Sequence, residues 1–432
     1  MQRRDLLKWG GAALVAGLPM PSVAASSPLD PVQKWYALVL ELVRHTATYS
    51  PPVAARAFAY LGIIAYESID LAPAGAASLA GQLPGLAALP PRSAGMDAAL
   101  VTHAALAAAV QRFFANTGPT GQRAIAAMNQ HLTAQLSGGV EPGRAAASLA
   151  CGQSVAAHIL GWAATDGGAL IDNMGFPRSY TLTKGPGHWL PTSLIVQHQA
   201  PLLPGWGAVR PFAKPAAGCA VPPPPAYSED PASAFYAEAM EVVEVRTALS
   251  DEQKQIARFW SDDAMLSQTP PGHWVSIALA TIRRERLGGV QAADVLARLG
   301  MAVADAFIAC WRSKYQYDLL RPVSYIKKLI DNSWEPLLIT PPFPEYPSGH
   351  STQSAAAAGV LEQIFGNSYA FDDDAHVDEG MAPRRFASFA AAAEEAALSR
   401  LYGGIHFRAA IEQGQGQGRC VAAHVNALKT IG

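Results

Sequence analysis

The sequence predicts an all-α protein, a multi-helix bundle in two helical halves joined by an irregular connection. Alanine- and leucine-rich runs repeat apolar residues at helical spacing through both halves. No run alternates apolar and polar residues over the length of a strand, so a large sheet is not expected. Residues 166–231, between the halves, are crowded with Gly, Pro and Trp, which is typical of irregular structure.

The apolar spacing and the helix-start signals place the individual helices. In the N-terminal half, residues 26–165, they are expected over about 35–46, 54–71, 96–116, 120–136 and 143–163. In the C-terminal half, residues 232–432, they are expected over about 232–247, 251–265, 272–286, 291–316, 350–365, 384–402 and 408–429. A second proline-rich connection is expected over 317–349.

The amino-acid composition and net charge argue against some classes of binding partner. Of the 432 residues, 50% are hydrophobic and 15% charged, with a formal net charge of −2. Such a chain can bury a large core, and it lacks the basic surface that nucleic acid or an anionic membrane would favour. We therefore expect neither a nucleic-acid partner nor a membrane span.

The first 25 residues are predicted to be a signal peptide. The stretch RRDLLK at residues 3–8 resembles a twin-arginine export motif, and small residues at 23–25 suit cleavage. The alternative is a membrane anchor, but the apolar run over 9–18 falls short of the roughly 20 residues that a span needs. The expected location is the periplasm or the exterior.

The 4 cysteines are widely spaced, without any C-x-x-C pair. A zinc or iron–sulfur site built on cysteine is therefore not expected. In an oxidising compartment one or two disulfides could form, and the sequence leaves their pairing open.

Three segments of the C-terminal half carry the candidate chemistry. They are KYQYDLLRP at 314–322, YPSGHST at 346–352 and SRLYGGIHF at 399–407. Taken singly, their polar residues have ordinary explanations, such as a helix cap at Ser348 or a lysine that complements a helix dipole. Together they offer two arginines, a lysine, a serine hydroxyl and the free amides of a helix start, which form a donor set for a tetrahedral oxyanion.

Two histidines accompany these donors. His350 lies at the predicted helix start, where Gly349 lets the backbone approach an anion closely. His406 follows a Gly-Gly break after Arg400. One imidazole can bond to the central atom of the anion, and the other can exchange protons near neutral pH.

In this order and spacing, K-x6-R-P, P-S-G-H and S-R-x5-H resemble the three-part signature of the vanadium-dependent haloperoxidases and the related type-2 phosphatidic acid phosphatases. The resemblance covers most of the chain and is dense from about 255 to 420. It implies that vanadate, or phosphate in the same site, is held by hydrogen bonds from five residues, Lys314, Arg321, Ser348, Gly349 and Arg400. It also implies that His406 binds vanadium axially, or attacks phosphorus, and that His350 is the acid–base group. Lys314 is further implied to be catalytic, because its positive charge polarises the bound peroxide.

Other residues favour the haloperoxidases over the phosphatases. Trp311 and Phe343 match apolar positions of the halide pocket in fungal chloroperoxidases, although core packing is the alternative for both. The resemblance further implies that Asp263 pairs with Arg400 and orients it. The chain departs from its relatives at Ala409, where an acidic residue is common, so a contact to His406 is expected to differ.

The resemblance thus implies a vanadate-dependent haloperoxidase that uses hydrogen peroxide to oxidise bromide or chloride to hypohalous acid, or to halogenate a small organic substrate. Two alternatives stay open: an exported acid phosphatase that acts through a phosphohistidine, and a non-enzymatic oxyanion-binding protein. The halide, the organic substrate and the oligomeric state are left open.

Two further motifs are expected to be structural. GQGQG at 414–418 lacks the strand and the G-K-[ST] of a nucleotide loop, so close helix packing is expected. The run DDD at 372–374, with His376, could bind a divalent cation, but a solvated loop is the favoured interpretation.

Overall fold

The computed structural model describes residues 29–170, 180–192, 200–263 and 265–431. Within these ranges the regular secondary structure is helical apart from one small hairpin, so the all-α prediction is confirmed. None of the described helices combines the length and the apolar character needed to cross a bilayer. The predicted signal peptide, residues 1–25, lies outside the described residues.

The helices follow the predicted order. The N-terminal half contains α1 (Leu29–Arg44), α2 (Pro51–Ser68), α3 (Ala98–Phe113), α4 (Pro119–Ser137) and α5 (Pro142–Ala163). The C-terminal half contains α6 (Ala234–Thr247), α7 (Asp251–Phe259), α8 (Thr269–Arg284), α9 (Gly289–Tyr317), α10 (Pro322–Leu329), α11 (Gly349–Phe365), α12 (Phe389–Tyr402) and α13 (Arg408–Asn426). The hairpin pairs β1 (Phe371–Asp373) with β2 (Arg384–Phe386), antiparallel.

Several elements differ from the prediction. Helix α7 ends at Phe259 rather than near residue 265, and the strand β1 was not expected. Helix α10 lies inside the connection expected at 317–349, because Pro322 occupies a first-turn position, where a missing N–H costs nothing. The helix expected from 384 begins at Phe389, and the residues before it form β2. A three-residue strand is too short for an alternating pattern to reveal it.

Close contact between α2 and α9 joins the two halves. Apart from its first residue, α2 is buried on every face. A Cβ atom at Gly62 would lie 2.6 Å from the Ala297 backbone, and one at Gly300 would lie 2.8 Å from Cα of Ala59. The glycines therefore let the two backbones meet in one apolar core. The domain boundaries near 165 and 231 stay predictions.

The irregular connection packs on this core where the structure describes it. Trp189 and Trp206 are buried, as their presence in the connection suggested. The buried carboxylate of Asp305, on α9, accepts hydrogen bonds from the amides of Phe212 (2.7 Å) and Lys214 (2.9 Å). A disulfide between Cys219 and Cys420 ties the connection to α13. Cys151 and Cys310 are free.

The GQGQG stretch lies within α13 and packs against α11. A Cβ atom at Gly418 would lie 2.2 Å from the carbonyl oxygen of Thr352, and one at Gly414 would lie 2.9 Å from that of Ser348. The prediction of close helix packing is therefore confirmed. This contact holds the first turn of α11, where the PSGH motif stands.

Candidate active site

The PSGH motif forms the start of α11. Ser348 is the N-cap, and its hydroxyl accepts a hydrogen bond from the amide of Ser351 at 3.3 Å. The amides of Gly349 and His350, in the first turn, have no intrahelical acceptor. They lie at the positive end of the helix dipole, which is a favourable place for an anion.

Lys314, near the end of α9, is fully buried. Its ammonium group donates to three backbone carbonyls, those of Pro344 (2.9 Å), Glu345 (2.9 Å) and Pro347 (2.6 Å). Burial lowers the pKa of Lys314 to about 7, and the positive charge of Arg321 acts in the same direction. In this arrangement Lys314 holds the loop before α11 and brings charge to the site. The resemblance implies that Lys314 also donates a hydrogen bond directly to the anion. In this structure no N–H of its ammonium group is left for that bond, because the three carbonyls accept from all three.

Arg321, the residue before α10, reaches the same site from the other side. Its Nε donates to the carbonyl of Phe343 (2.9 Å), and its Nη1 donates to that of Ile405 (2.9 Å). Nη1 also lies 3.1 Å from Nε2 of His406. Nη2 is buried without a partner among the described residues, so one N–H pair of the guanidinium is left for a ligand.

His406 follows the Gly-Gly break, where Gly404 has a φ of 72° in the left-handed region that glycine favours. Its Nδ1 lies 2.8 Å from Oε1 of Glu345, and the same oxygen accepts the amide of Phe407 at 2.8 Å. Burial and the neighbouring cations hold the pKa of His406 well below its usual value. The neutral ring therefore donates from Nδ1 to Glu345 and keeps its lone pair on Nε2, beside Arg321.

Arg400, in the last turn of α12, is held by backbone carbonyls. Its Nη2 donates to those of Trp260 (2.8 Å) and Ala257 (3.3 Å), and its Nε donates to the hydroxyl of Ser399 (3.0 Å). The expected ion pair with Asp263 is not formed, which corrects that expectation. Asp263 lies in the turn after α7 with its side chain exposed, and it affects Arg400 only through its charge.

His350 completes the site. Its Nε2 is buried, and no described residue hydrogen-bonds to it. Desolvation, with the nearby charge of Arg400, lowers the pKa of His350 well below its usual value. The ring is therefore neutral near pH 7 and can take up a proton.

Four of these residues, Gly349, His350, Arg400 and His406, line a cavity of about 40 Å³. It is lined by Pro51, Pro270, Phe307, Trp311, Pro341, Phe343, Gly349, His350, Arg400, Ile405 and His406. Trp311 also serves the core, since its indole N–H donates to the carbonyl of Leu202 at 3.0 Å. The ring centroids of Trp311 and Phe343 are 4.9 Å apart and form an apolar wall. Trp311 therefore packs in the core and also lines this cavity, and its role in a halide pocket stays a prediction.

The free donors fit a tetrahedral oxyanion such as vanadate. Within the described part of the chain, the structure offers as donors the unpartnered Nη2 of Arg321 and the amides at the start of α11. The unpartnered Nε2 of His350 lies at the same cavity and can exchange a proton with a bound oxyanion. Nε2 of His406 supplies a lone pair beside them. An anion at this place would satisfy buried polar atoms that are costly to leave unpaired.

Comparison with known proteins decides the family. A family model described as the VCPO second helical-bundle domain matches residues 294–430. The structure is similar to that of the first bacterial vanadium-dependent iodoperoxidase, with a TM-score of 0.87 and 38% identity. That alignment covers 95% of this chain and 99% of the iodoperoxidase. The chain belongs to the vanadium-dependent haloperoxidase family.

More distant structures share the fold of this haloperoxidase. A holo-type bacterial vanadium-dependent chloroperoxidase aligns with a TM-score of 0.65 and 15% identity, over 94% of this chain and 93% of that one. An apo-type structure of such an enzyme gives a TM-score of 0.64 and 16% identity, over 94% and 95%. No curated protein sequence matches the chain. The haloperoxidase is thus an oxidoreductase whose cofactor is vanadate and whose substrates are peroxide and halide.

Sequence reasoning missed two features of the haloperoxidase site. Glu345 stands between prolines in the PEYPSGH stretch, and only its proximity to the PSGH motif could have drawn attention to it. The other is a buried cluster of Asp262, His273, Asp373 and His376 next to the turn after α7. The last two lie in the segment interpreted as a solvated loop. They are buried, so that interpretation is wrong for them.

Proposed function

We propose that this haloperoxidase oxidises iodide with hydrogen peroxide to hypoiodous acid, and bromide more slowly. The proposal rests on the 38% identity to the bacterial iodoperoxidase over nearly the whole of both chains. Iodide gives up electrons most readily of the three halides, so it demands the least activation of the peroxide. Bromide and chloride, the halides expected from the sequence, belong in the same test.

In this proposal, vanadate is bound by the histidine, arginine and backbone amide groups of the candidate site. Nε2 of His406 would be the one covalent ligand, and Nη2 of Arg321 with the Gly349 and His350 amides would bind the oxygens. Arg400 would add positive charge from the other side of the cavity. Bound vanadate supplies a Lewis acid that activates peroxide without changing its own oxidation state.

His350 moves the proton in this proposal. The overall change is that hydrogen peroxide, halide and one proton become hypohalous acid and water. Peroxide must lose a proton as it binds, and the leaving oxygen must gain one when the O–O bond breaks. The neutral Nε2 of His350, free of partners among the described residues, can accept the first proton and return it for the second.

The aromatic wall would exclude water and admit the halide. Phe343 lies beneath both cations, with its ring centroid 5.0 Å from Nζ of Lys314 and 4.9 Å from the Arg321 guanidinium carbon. Cations near an apolar wall attract a large, weakly hydrated anion. Trp311 and Phe343 are therefore the proposed halide-pocket residues.

The test is a halide panel on purified protein loaded with orthovanadate. We expect peroxide-dependent oxidation of iodide, slower oxidation of bromide, and least with chloride. His406→Ala should be inactive with all three, and His45→Ala, an exposed position, should match the wild type. Faster turnover of chloride than of iodide would contradict the proposed preference.

A phosphatase is the second candidate, because the anchored His406 ring would also suit attack on phosphorus. In that reaction Nε2 bonds to phosphorus, the ester P–O bond breaks, and His350 protonates the leaving oxygen; water then frees the phosphate. The lowered pKa leaves His350 without that proton near pH 7, so phosphatase activity should appear only in acid. A non-enzymatic oxyanion binder would not need His350 at all.

We also propose export by the twin-arginine route. The RRDLLK motif supports it, as does the Cys219–Cys420 disulfide, which suits an oxidising compartment. Fusing residues 1–25 to a reporter tests it. Export that stops in the double variant Arg3→Lys, Arg4→Lys would support the route, and unchanged export would contradict it.

A further inference from the structure

A second cluster of polar side chains lies buried behind Arg400. Asp262 follows α7, His273 stands in α8 and His376 follows β1, and each is at most 5% exposed. Nδ1 of His273 lies 3.1 Å from Oδ2 of Asp262, and Nε2 of His376 lies 3.3 Å from Oδ1. Two parts of the chain, the segment from Asp262 to His273 and the residues after β1, thus bring two imidazoles to one carboxylate.

The outer nitrogens of both rings are also held by carboxylates. Nε2 of His273 lies 2.8 Å from Oδ2 of Asp373, and Nδ1 of His376 lies 3.0 Å from Oε2 of Glu379. Glu379 in turn pairs with Arg44. A carboxylate on the far nitrogen is the usual surrounding of a metal-binding histidine, because it fixes the tautomer and raises the basicity of the ligand nitrogen.

The inner atoms have the separations of a metal site. Ligands bonded to zinc at roughly 2.0–2.1 Å in a tetrahedron are about 3.3 Å apart. Measured to a single ligand oxygen, Oδ1 of Asp262, the distances from Nδ1 of His273 and Nε2 of His376 are 3.2 and 3.3 Å, close to this value. One ligand atom from each of the three residues lies within 4.8 Å of the others.

The state of one atom favours a metal site over a simple network of hydrogen bonds. Nε2 of His376 is buried and points toward Asp262, yet it makes no hydrogen bond with it or with any other described residue. An unsatisfied buried nitrogen is costly. Asp262 itself has a φ of 50°, a conformation that non-glycine residues rarely adopt without a strong local constraint.

We propose that Asp262, Nδ1 of His273 and Nε2 of His376 bind a zinc ion, with Asp373 and Glu379 as outer carboxylates. The fourth position would be taken by water, as in other sites with three protein ligands. Zinc has no redox chemistry, which suits a position beside a peroxide-consuming site. The ion would be distinct from vanadate, whose ligands lie on other elements.

The proposed site supports the active site mechanically. Asp262 lies two residues after Trp260, whose carbonyl accepts the 2.8 Å hydrogen bond from Arg400. The Trp260 ring also stacks on His273, with centroids 4.5 Å apart. Zinc would fix this turn and therefore the place of Arg400.

The experiment uses the full-length protein, stripped with a chelator and titrated with zinc sulfate. We expect one zinc per chain by elemental analysis, and a melting temperature that rises with zinc concentration. The ligand variants Asp262→Asn and His376→Gln should weaken zinc binding by about 100-fold or more, and Glu379→Gln by roughly 10–100-fold. Asp263→Asn, the exposed neighbour, is the matched control and should bind zinc normally.

The outcomes are separable from haloperoxidase activity, since the readouts are metal content and melting temperature. Circular dichroism checks that each variant folds. If the ligand variants do not fold, the partly exposed Glu379→Gln still gives a binding constant. No zinc binding by the wild type at micromolar free zinc would overturn the proposal. Equal binding by Asp262→Asn and Asp263→Asn would overturn it as well.

Discussion

Nδ1 of His406 lies 2.8 Å from Oε1 of Glu345, across 61 residues of sequence. The carboxylate comes from the loop before α11, whereas many relatives are expected to place an acidic residue near Ala409. The contact to His406 that was expected to differ because of Ala409 is made in this chain by Glu345. Glu345 fixes the ring so that Nε2 carries the lone pair, where it accepts from Nη1 of Arg321, and Glu345 is a positioning residue for His406.

Removal of the Glu345 carboxylate should weaken vanadate binding. We expect Glu345→Ala to lower the affinity by roughly 10–100-fold, because the His406 ring loses its anchor and its basicity. Glu345→Gln can still accept from Nδ1 and should recover part of the loss. The affinity is measured by equilibrium dialysis with orthovanadate, and Glu335→Ala, an exposed position, is the control. Equal affinities for Glu345→Ala and the wild type would contradict the positioning role.

Loss of the His350 ring should separate binding from turnover. His350→Ala keeps the cations and the helix amides, so we expect vanadate affinity to change by only a few-fold. Halide oxidation should fall by about 10²–10⁴-fold, the usual contribution of a proton-transfer group. Steady-state rates and dialysis on the same sample check both. A variant that binds vanadate and turns over normally would exclude His350 as the proton carrier.

Arg321 should not tolerate replacement by lysine. An ammonium group at this position could not donate to the carbonyls of Phe343 and Ile405 and still offer the free N–H pair of Nη2. We expect Arg321→Lys to lower vanadate affinity by about 10-fold or more, the effect of one lost charge-assisted hydrogen bond. Arg312→Lys is the matched control, because Arg312 stands nearby on α9 but donates to the carbonyl of Gly207. A similar affinity for both variants would refute the special role of Nη2.

His103, far from the active site, should control stability in acid. Its Nδ1 accepts from the Trp35 indole at 3.2 Å, and burial lowers its pKa to about 4. Between that value and the ordinary 6.5, the unfolded chain binds more protons than the folded one. The free energy of unfolding should therefore fall by about 3 kcal/mol as the pH drops through this window.

Urea unfolding at several pH values measures the effect. His103→Gln should remove that part of the pH dependence, while the exposed His45→Gln should keep it. Identical pH profiles for His103→Gln and the wild type would contradict the prediction, because they would mean that the His103 pKa is the same in the folded and the unfolded chain.

The helical fold was predictable because apolar spacing and proline starts are local signals. The PSGH helix start was predictable for the same reason, since Ser348 is a local N-cap. Helix α10 and the strands β1 and β2 were missed because each is too short for apolar periodicity to reveal it.

The site was only partly predictable. Motif spacing pointed to both histidines and both arginines, and the structure brings them to one cavity or its edge. The motif spacing could not show that Lys314 donates all its N–H groups to carbonyls. Nor could it show that Asp263 faces solvent while Asp262 is buried. The burial of a side chain and its hydrogen-bond partners depend on which side of a turn faces the core. The residue types alone do not determine this.

The measurement that tests the account most directly combines vanadium content with halide oxidation in one sample. Wild-type and His406→Ala proteins are stripped, reloaded with orthovanadate, and assayed with iodide and hydrogen peroxide. We expect one vanadium per wild-type chain, activity proportional to vanadium content, and loss of both in the variant. Full iodide oxidation by the stripped wild type, or bound vanadium with full activity in His406→Ala, would contradict it.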